Sequence, residues 1–260
     1  LVANDLRPPR SQQTSVGIRQ GIGGGLVTVS YNGIRGTNGM NYVRVSGWGG
    51  LGPNYSTAFA TDDRVRTWYD ALQLQIERPL RADTRWGGSL AYTAARAREQ
   101  GQSTDIFWGF DDRFPTVADR PILRAPGNQA HTIVANAIAL LPYDLRVSGI
   151  VSLGTGLTAN ATNASRGRGP FNEFTYVYEP PTRPFLGVGR VFNTQNLDLR
   201  VEKGIPVVGG QTASLALDLF NAFNSRNFGC FDGFINPTAE RPNANFNRPN
   251  CAALGRRVQV

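Results

Sequence analysis

Apolar and polar side chains alternate with a period of two in stretches of about ten residues along this chain. Leu72, Leu74 and Ile76 alternate with Gln73, Gln75 and Glu77. Leu197, Leu199 and Val201 alternate with Asn196, Asp198, Arg200 and Glu202, and Leu215, Leu217 and Leu219 with Ser214, Ala216 and Asp218. Successive side chains of a strand point to opposite faces, so each stretch predicts a strand with one apolar and one polar face.

The pattern predicts strands over about residues 14–19, 26–31, 69–80, 84–97, 130–141, 145–157, 194–203 and 211–220, with a ninth starting near residue 253. Trp86, Gly88, Leu90 and Tyr92 share one face, as do Leu145, Val147, Gly149, Val151 and Leu153; Arg146, Ser148 and Ser152 take the opposite face, interrupted by Ile150. Short turns follow the odd-numbered strands, at Gly21–Gly25, Arg81–Asp83, Pro142–Asp144 and Gly204–Gly210. Long Gly/Asn/Arg/Pro-rich connections follow the even-numbered ones, over residues 32–68, 98–128, 158–192 and 221–252. The Gly, Asn and Ser content of the first argues against a packed core there. Short turns on one side and long loops on the other are the signature of a transmembrane antiparallel β-barrel wall. Structureless loops of this length are uncommon in compact soluble domains, and a propeller would need blade repeats that the chain lacks. No run of about 18 apolar residues is present, which excludes a helical span but not a barrel. Nine strands cannot close with both ends on the turn side, and open edges in hydrocarbon are costly. The expectation is a slice of a larger wall, its opening LVANDLRPPR and closing GRRVQV both reading as breaks inside a longer protein.

The formal charge is +8, from 27 Lys+Arg against 19 Asp+Glu, with Lys203 the single lysine. Such a balance raises nucleic acid as a partner. The arginines are dispersed, however, and no compact basic helix or RNA-reading motif accompanies them, so the expectation is no nucleic acid. Arginine in a wet lumen and on loops that meet anionic surface lipids accounts for the charge. Cys230 and Cys251 fall in the last long loop; an oxidising compartment favours a disulfide, with two free thiols as the alternative. One histidine and no Cys/His cluster leave no zinc pattern, and no cofactor is indicated. Asp62-Asp63 and Asp111-Asp112 lack the spacing of a calcium loop.

Catalytic patterns are weak. The stretch from Ser152 lacks a nucleophile-elbow pattern, and His131 has no specified nucleophile nearby and reads as a polar rim residue. Gly21–Leu26 lacks the Lys-Ser/Thr ending of a phosphate loop. The polar-face candidates for a lumen are Gln73, Gln75, Glu77, Asn196, Asp198, Arg200, Glu202 and Asp218. The loop candidates for ligand contact are aromatic: Tyr42, Trp48 and Tyr55 in the first long loop, Phe107, Trp108, Phe110 and Phe114 in the second, and Phe171, Phe174, Tyr176 and Tyr178 in the third. Aromatics among polar groups can hold a glycan, siderophore or peptide; they can equally pack loops together. Tyr143, Phe220 and Phe223 lie near strand ends, where an interfacial aromatic girdle is expected.

Several segments, in consistent order, resemble the C-terminal barrel of TonB-dependent outer-membrane receptors, particularly the Oar-like subgroup with a carboxypeptidase-regulatory-like domain. They are SVGIRQGIGGGLVTVSYNGIRGTNG, YDALQLQIERPL with SLAYTAARA, HTIVANAIALLPYDLRVSGIVSLGTGLTANAT, and GVGRVFNTQNLDLRVEKGIPV followed by LALDLFNAFNSRNFG. The final GRRVQV resembles the start of the closing strand, without the family's aromatic end. The resemblance implies about nine strands, over residues 1–260, of a 22-stranded barrel in the bacterial outer membrane. It further implies outer-membrane lipid and lipopolysaccharide as surroundings, a plug domain and a TonB-contacting segment outside this chain, and energy-dependent uptake of an unidentified ligand without enzymatic chemistry. An adhesion or scaffold barrel and a passive porin-like channel are the alternatives.

Overall fold

The computed structural model describes residues 5–45, 58–101, 116–163, 174–178, 192–236 and 243–260. The elements, in chain order, are β1 (Arg10–Ile22), β2 (Gly25–Val45), β3 (Ala58–Arg78), β4 (Trp86–Gln100), a 3-10 turn (Val117–Asp119), β5 (Ile122–Arg124), β6 (His131–Leu141) and β7 (Leu145–Gly154). Then come β8 (Thr158–Asn163), β9 (Phe174–Val177), β10 (Thr194–Pro206), β11 (Thr212–Phe220), β12 (Phe228–Phe231), β13 (Phe234–Asn236), β14 (Pro249–Ala252) and β15 (Arg257–Gln259).

Nine of these strands form one sheet in the order β1-β2-β3-β4-β6-β7-β10-β11-β15, with β5 added to β4. All of its pairings are antiparallel. Each wall strand pairs with its sequence neighbour in the wall, as an up-and-down barrel requires. The turns that close the hairpins gather at one end. In the tightest, Ile22 pairs directly with Gly25, and Gly23 and Gly24 both adopt positive φ (55° and 79°). Two left-handed residues match the twist of the flanking strands, and glycine takes that conformation without steric cost.

A single sheet cannot bury its own faces, and this one does not. Val16 and Ile18 are 66% and 75% exposed, and Leu72 and Leu215 are 52% and 55% exposed. The buried hydrophobic cluster of described residues is small, Val43, Val65 and Val117, and it lies at the loop end rather than under the wall.

The connections depart from the expectation of unstructured loops. β2 and β3 run well past the predicted strand ends, pairing Val43 with Ala60 and Arg44 with Phe59 beyond a register shift at Gly36–Asn41. The first connection therefore carries paired strand and part of the small core, although its composition argued against packing. Backbone pairing and three valines suffice where glycine is only interspersed. β5, β8–β9 and β12–β14 likewise build structure inside the other three long connections, including a separate sheet in the order β13-β8-β9. In the wall itself, β7 stops at Gly154 instead of 157, and β15 begins at Arg257 instead of near 253.

Candidate functional site

The register carries one polar face across the wall. Ser15 pairs with Asn32, Ser30 with Gln73, Thr28 with Gln75, Glu77 with Ser89 and Ser89 with Asn136. Farther along, Ser152 pairs with Asn196, Ile150 with Asp198, Arg146 with Glu202, and Arg200 with both Ser148 and Asp218. Gln73, Gln75, Glu77, Asn196, Asp198, Arg200, Glu202 and Asp218 thus stand on the same face.

Two hydrogen-bonded clusters organise that face. In the first, Ser15 Oγ donates to Asn32 Oδ1 (2.8 Å) and Asn32 Nδ2 to Gln73 Oε1 (3.0 Å). Gln75 donates to Glu77, which Arg19 approaches at 3.8 Å. In the second, Arg200 lies 3.3 Å from Asp218 and 3.7 Å from Glu202, and Arg146 lies 3.7 Å from Glu202. Asp198 accepts the backbone N–H of Asn221 (2.8 Å), which ties β10 to the end of β11. Between the clusters Val134, Ile138, Leu140 and Ile150 share the polar face, so the interruption noted at Ile150 is a broader apolar patch on β6 and β7.

The opposite face is apolar over a defined height. On β3 it runs through Leu72, Leu74 and Ile76, bounded by Asp70 and Arg78; on β10 it runs through Leu197, Leu199 and Val201, bounded by Gln195 and Lys203. Each interval is eight residues, about 27 Å along the strand at ~3.4 Å per residue. At a tilt of ~45° that is about 19 Å along the membrane normal, comparable with the ~25 Å apolar band of transmembrane barrels. At the turn end the guanidinium of Arg78 sits 4.1 Å from the Trp86 ring centroid, and Lys203 donates to the Tyr143 carbonyl.

At the loop end of the apolar face a belt of arginines had not been singled out by the sequence pattern. Arg35 pairs with Trp68, Trp68 with Arg98, Asp70 with Arg96, and Arg66 with Gln100, while Arg10 pairs with Thr37 on the edge hairpin. Arg35 Nη2 binds Asp70 at 2.5 Å, Tyr31 Oη donates to the same carboxylate at 2.6 Å, and Arg98 lies over Trp68 at 6.0 Å. The available signal was that Arg35, Asp70 and Arg96 break the apolar alternation at similar distances from their hairpin turns. Also here, the His131 ring stacks on Tyr92, with Nδ1 2.8 Å from Tyr92 Oη.

Beyond the belt, the loop-end structure holds both members of the first aspartate pair. Asp62 is buried; burial opposes its charge, but hydrogen bonds from the Arg64 side chain and the Val117 N–H outweigh this and hold its carboxyl below the usual range. Asp63 accepts Arg7 Nε and its backbone N–H (2.9 and 2.8 Å), which lowers its carboxyl to about 2. Arginines thus occupy both carboxylates. Among the described residues no group of three or more His, Cys, Asp or Glu is arranged to hold a metal. Asp111-Asp112 lies outside the described residues.

The aromatic candidates separate. Tyr42 is exposed on the β2 extension. Tyr176 packs against Phe231 and Phe246 at 6.0 and 5.3 Å, and burial, with the Asp232 charge and Tyr178 behind it, pushes its hydroxyl up to about 12. Tyr178 is only 1% exposed and lies 5.0 Å from Phe231, so it packs the loop and presents no ring to a ligand. Trp48, Tyr55, Phe107, Trp108, Phe110, Phe114 and Phe171 lie outside the described residues, as does the side chain of Phe174. Phe220 shares the face of Asp218, under the Arg257 guanidinium at 5.5 Å, and so does not join a girdle on the apolar face. A disulfide joins Cys230 to Cys251 across the β12–β14 pair, with Cα atoms 5.0 Å apart.

No protein-family model and no curated protein sequence matches this chain. Among solved structures it is similar to the outer membrane transporter YddB from Escherichia coli, with a TM-score of 0.59 and 11% identity over 86% of this chain and 30% of that one. It is also similar to the FrpB iron transporter from Neisseria meningitidis (F3-3 variant), with a TM-score of 0.55 and 11% identity over 99% of this chain and 31% of that one. The chain spans about a third of the length of these transporters. At this identity the likeness is one of fold: an antiparallel section of an outer-membrane-type β-barrel wall.

Proposed function

We propose that this chain is a section of the wall of a bacterial outer-membrane transporter, of the TonB-dependent kind and its Oar-like subgroup, contributing the C-terminal strands of a 22-stranded barrel. The observation that carries this reading is the continuity of the apolar face. One register carries it through successive strands, opposite a face that is polar except for the patch on β6 and β7, with short turns at one end and long, partly structured loops at the other. In this reading the apolar face meets hydrocarbon and the other meets water. Strands outside this chain close the sheet beyond β1 and β15, since an unpaired edge in hydrocarbon leaves backbone groups unsatisfied.

In this reading Gln73, Gln75, Glu77, Asn196, Asp198, Arg200, Glu202 and Asp218 line the lumen. Their paired clusters keep it hydrated and give a plug domain a surface of alternating donors and acceptors. The exposed Tyr42 and the aromatics of the outer connections take the ligand, Tyr178 excepted. Uptake is driven through a plug and the TonB complex, and no covalent chemistry is involved.

The test compares the solutes that cells with and without the intact protein remove from their medium, by mass spectrometry, before and after a protonophore. The expected result is a solute removed only by cells carrying the protein, with removal abolished when the proton gradient collapses. Removal that survives the protonophore would contradict energy-dependent uptake and identify a passive channel. Equal removal by both cell types would contradict transport and leave an adhesion or scaffold barrel.

A further inference from the structure

We infer that the arginine belt at the loop end of the apolar face is a binding site for the phosphorylated headgroup of an outer-leaflet saccharolipid, whose acyl chains lie along the apolar strands below. The inference rests on the barrel reading, because that reading puts this face in lipid.

The register assembles the belt from four adjacent strands. Arg10 comes from β1, Arg35 from β2, Arg66 from β3, and Arg96 and Arg98 from β4. Strands lie ~4.8 Å apart, so the belt is about 14 Å wide, the scale of a disaccharide carrying a phosphate at each end. Among the described residues, charge on this surface does not balance. Asp70 is engaged by Arg35, and nearby Asp63 and Asp62 are engaged by Arg7 and Arg64. Arg10, Arg66 and Arg96 are exposed, and among the described residues no carboxylate lies within ion-pair distance of them. The cations at the turn end of the wall differ. Arg78 stacks on Trp86, Arg85 donates to the carbonyls of Leu140 and Leu141, and Lys203 donates to that of Tyr143.

Guanidinium groups at a lipid-facing border with no carboxylate partner among the described residues call for a counter-charge at headgroup depth, and phosphate is the group whose oxygens accept their paired donors. The shape agrees. Arg10, Arg35, Arg66, Trp68 and the Arg7–Asp63 ion pair border a recess of about 580 Å³, in which, among the described residues, the one carboxylate is already held by Arg7 and the other arginines outnumber it. Below it the same face continues into Val16, Ile18, Tyr31 and Leu72, all exposed. Trp68 and Tyr31 stand where interfacial aromatics sit, one end apolar and the other wet. A free anion would use the recess alone, whereas a lipid uses the recess and the apolar strands together.

The test uses the intact barrel protein containing this chain, purified in detergent micelles, with binding read by native mass spectrometry. The probes are diphosphorylated lipid A, its dephosphorylated form and inorganic phosphate. The variants are Arg10→Gln/Arg66→Gln/Arg96→Gln and, as a loop-arginine control, Arg226→Gln. Diphosphorylated lipid A should bind the triple variant roughly tenfold or more weakly than the unaltered protein. Arg226→Gln should bind it normally, and the dephosphorylated form should bind all three proteins alike. Equal binding of the diphosphorylated form to the unaltered protein and the triple variant would overturn the site. So would displacement of the lipid by millimolar inorganic phosphate, which would mark a free-anion site. Heat-modifiable gel mobility of each protein separates the two levels. Its absence from the unaltered protein would overturn the barrel reading and this site with it. Its presence with lipid A binding indifferent to the arginines would overturn this site alone.

Discussion

Leu199→Arg should destabilise the folded barrel by about 2–4 kcal/mol, while Asn196→Arg should change stability by no more than about 0.5 kcal/mol. Leu199 lies midway between Gln195 and Lys203, the polar borders of the apolar face on β10. Its cross-strand neighbours are Gly149 and Leu219, so an arginine there meets no carboxylate from either side. At that depth it would have to carry its charge into hydrocarbon or bend to the border. Asn196 differs by three residues in sequence and by a whole face in environment. It pairs with Ser152, next to Asp198 on the same strand face, where a guanidinium stays hydrated. Urea unfolding of the barrel in vesicles, followed by loss of its heat-modifiable mobility, gives both values. Equal costs at the two positions would mean that the faces do not separate lipid from water.

Removing the disulfide should have the second largest effect, confined to the outer loop. The bond joins residues 21 apart in sequence. Chain-entropy arguments assign a closed loop of that size about 3 kcal/mol. The stabilisation is local, because among the described strands β12 and β14 pair with each other and lie off the wall. The consequence reaches further through Phe231, which sits in β12 and contacts both Tyr176 and Tyr178. Cys251→Ser should make the segment from Phe228 to Ala252 sensitive to external protease and free the Tyr176 ring, with the mobility of the barrel unchanged. Protease resistance equal to that of the unaltered protein would show that the aromatic packing holds the loop without the bond.

The wall was legible in the sequence because its two environments impose opposite chemistry on successive residues. Leu72-Gln73-Leu74-Gln75-Ile76-Glu77 can sit in a sheet with only one arrangement of faces, and short turn sequences, glycine-rich at Gly21–Gly25 and Gly204–Gly210, mark where the hairpins reverse. The loop-end structure was less legible because composition does not report pairing. Tyr42-Val43-Arg44-Val45 and Ala58-Phe59-Ala60-Thr61 lie in a Gly- and Asn-rich stretch, yet they pair because β2 and β3 are already held in register below them. For Tyr178 the sequence left ligand contact and loop packing both open, since nothing local indicates that Phe231, more than fifty residues later, covers it. The arginine belt was hidden for a related reason. Arg10, Arg35, Arg66, Arg96 and Arg98 are dispersed in sequence, and only the cross-strand register gathers them.

In the proposed barrel one face of this sheet meets lipid and the other meets water. A nitroxide scan of the intact barrel in bilayers, one label at a time from Leu72 to Glu77, tests it directly. Collision with oxygen reports lipid, and collision with a water-soluble nickel chelate reports the aqueous side. The predicted result is a period of two: oxygen contact dominant at Leu72, Leu74 and Ile76, nickel contact dominant at Gln73, Gln75 and Glu77. Nickel contact at all six positions, or the loss of alternation, would contradict the account.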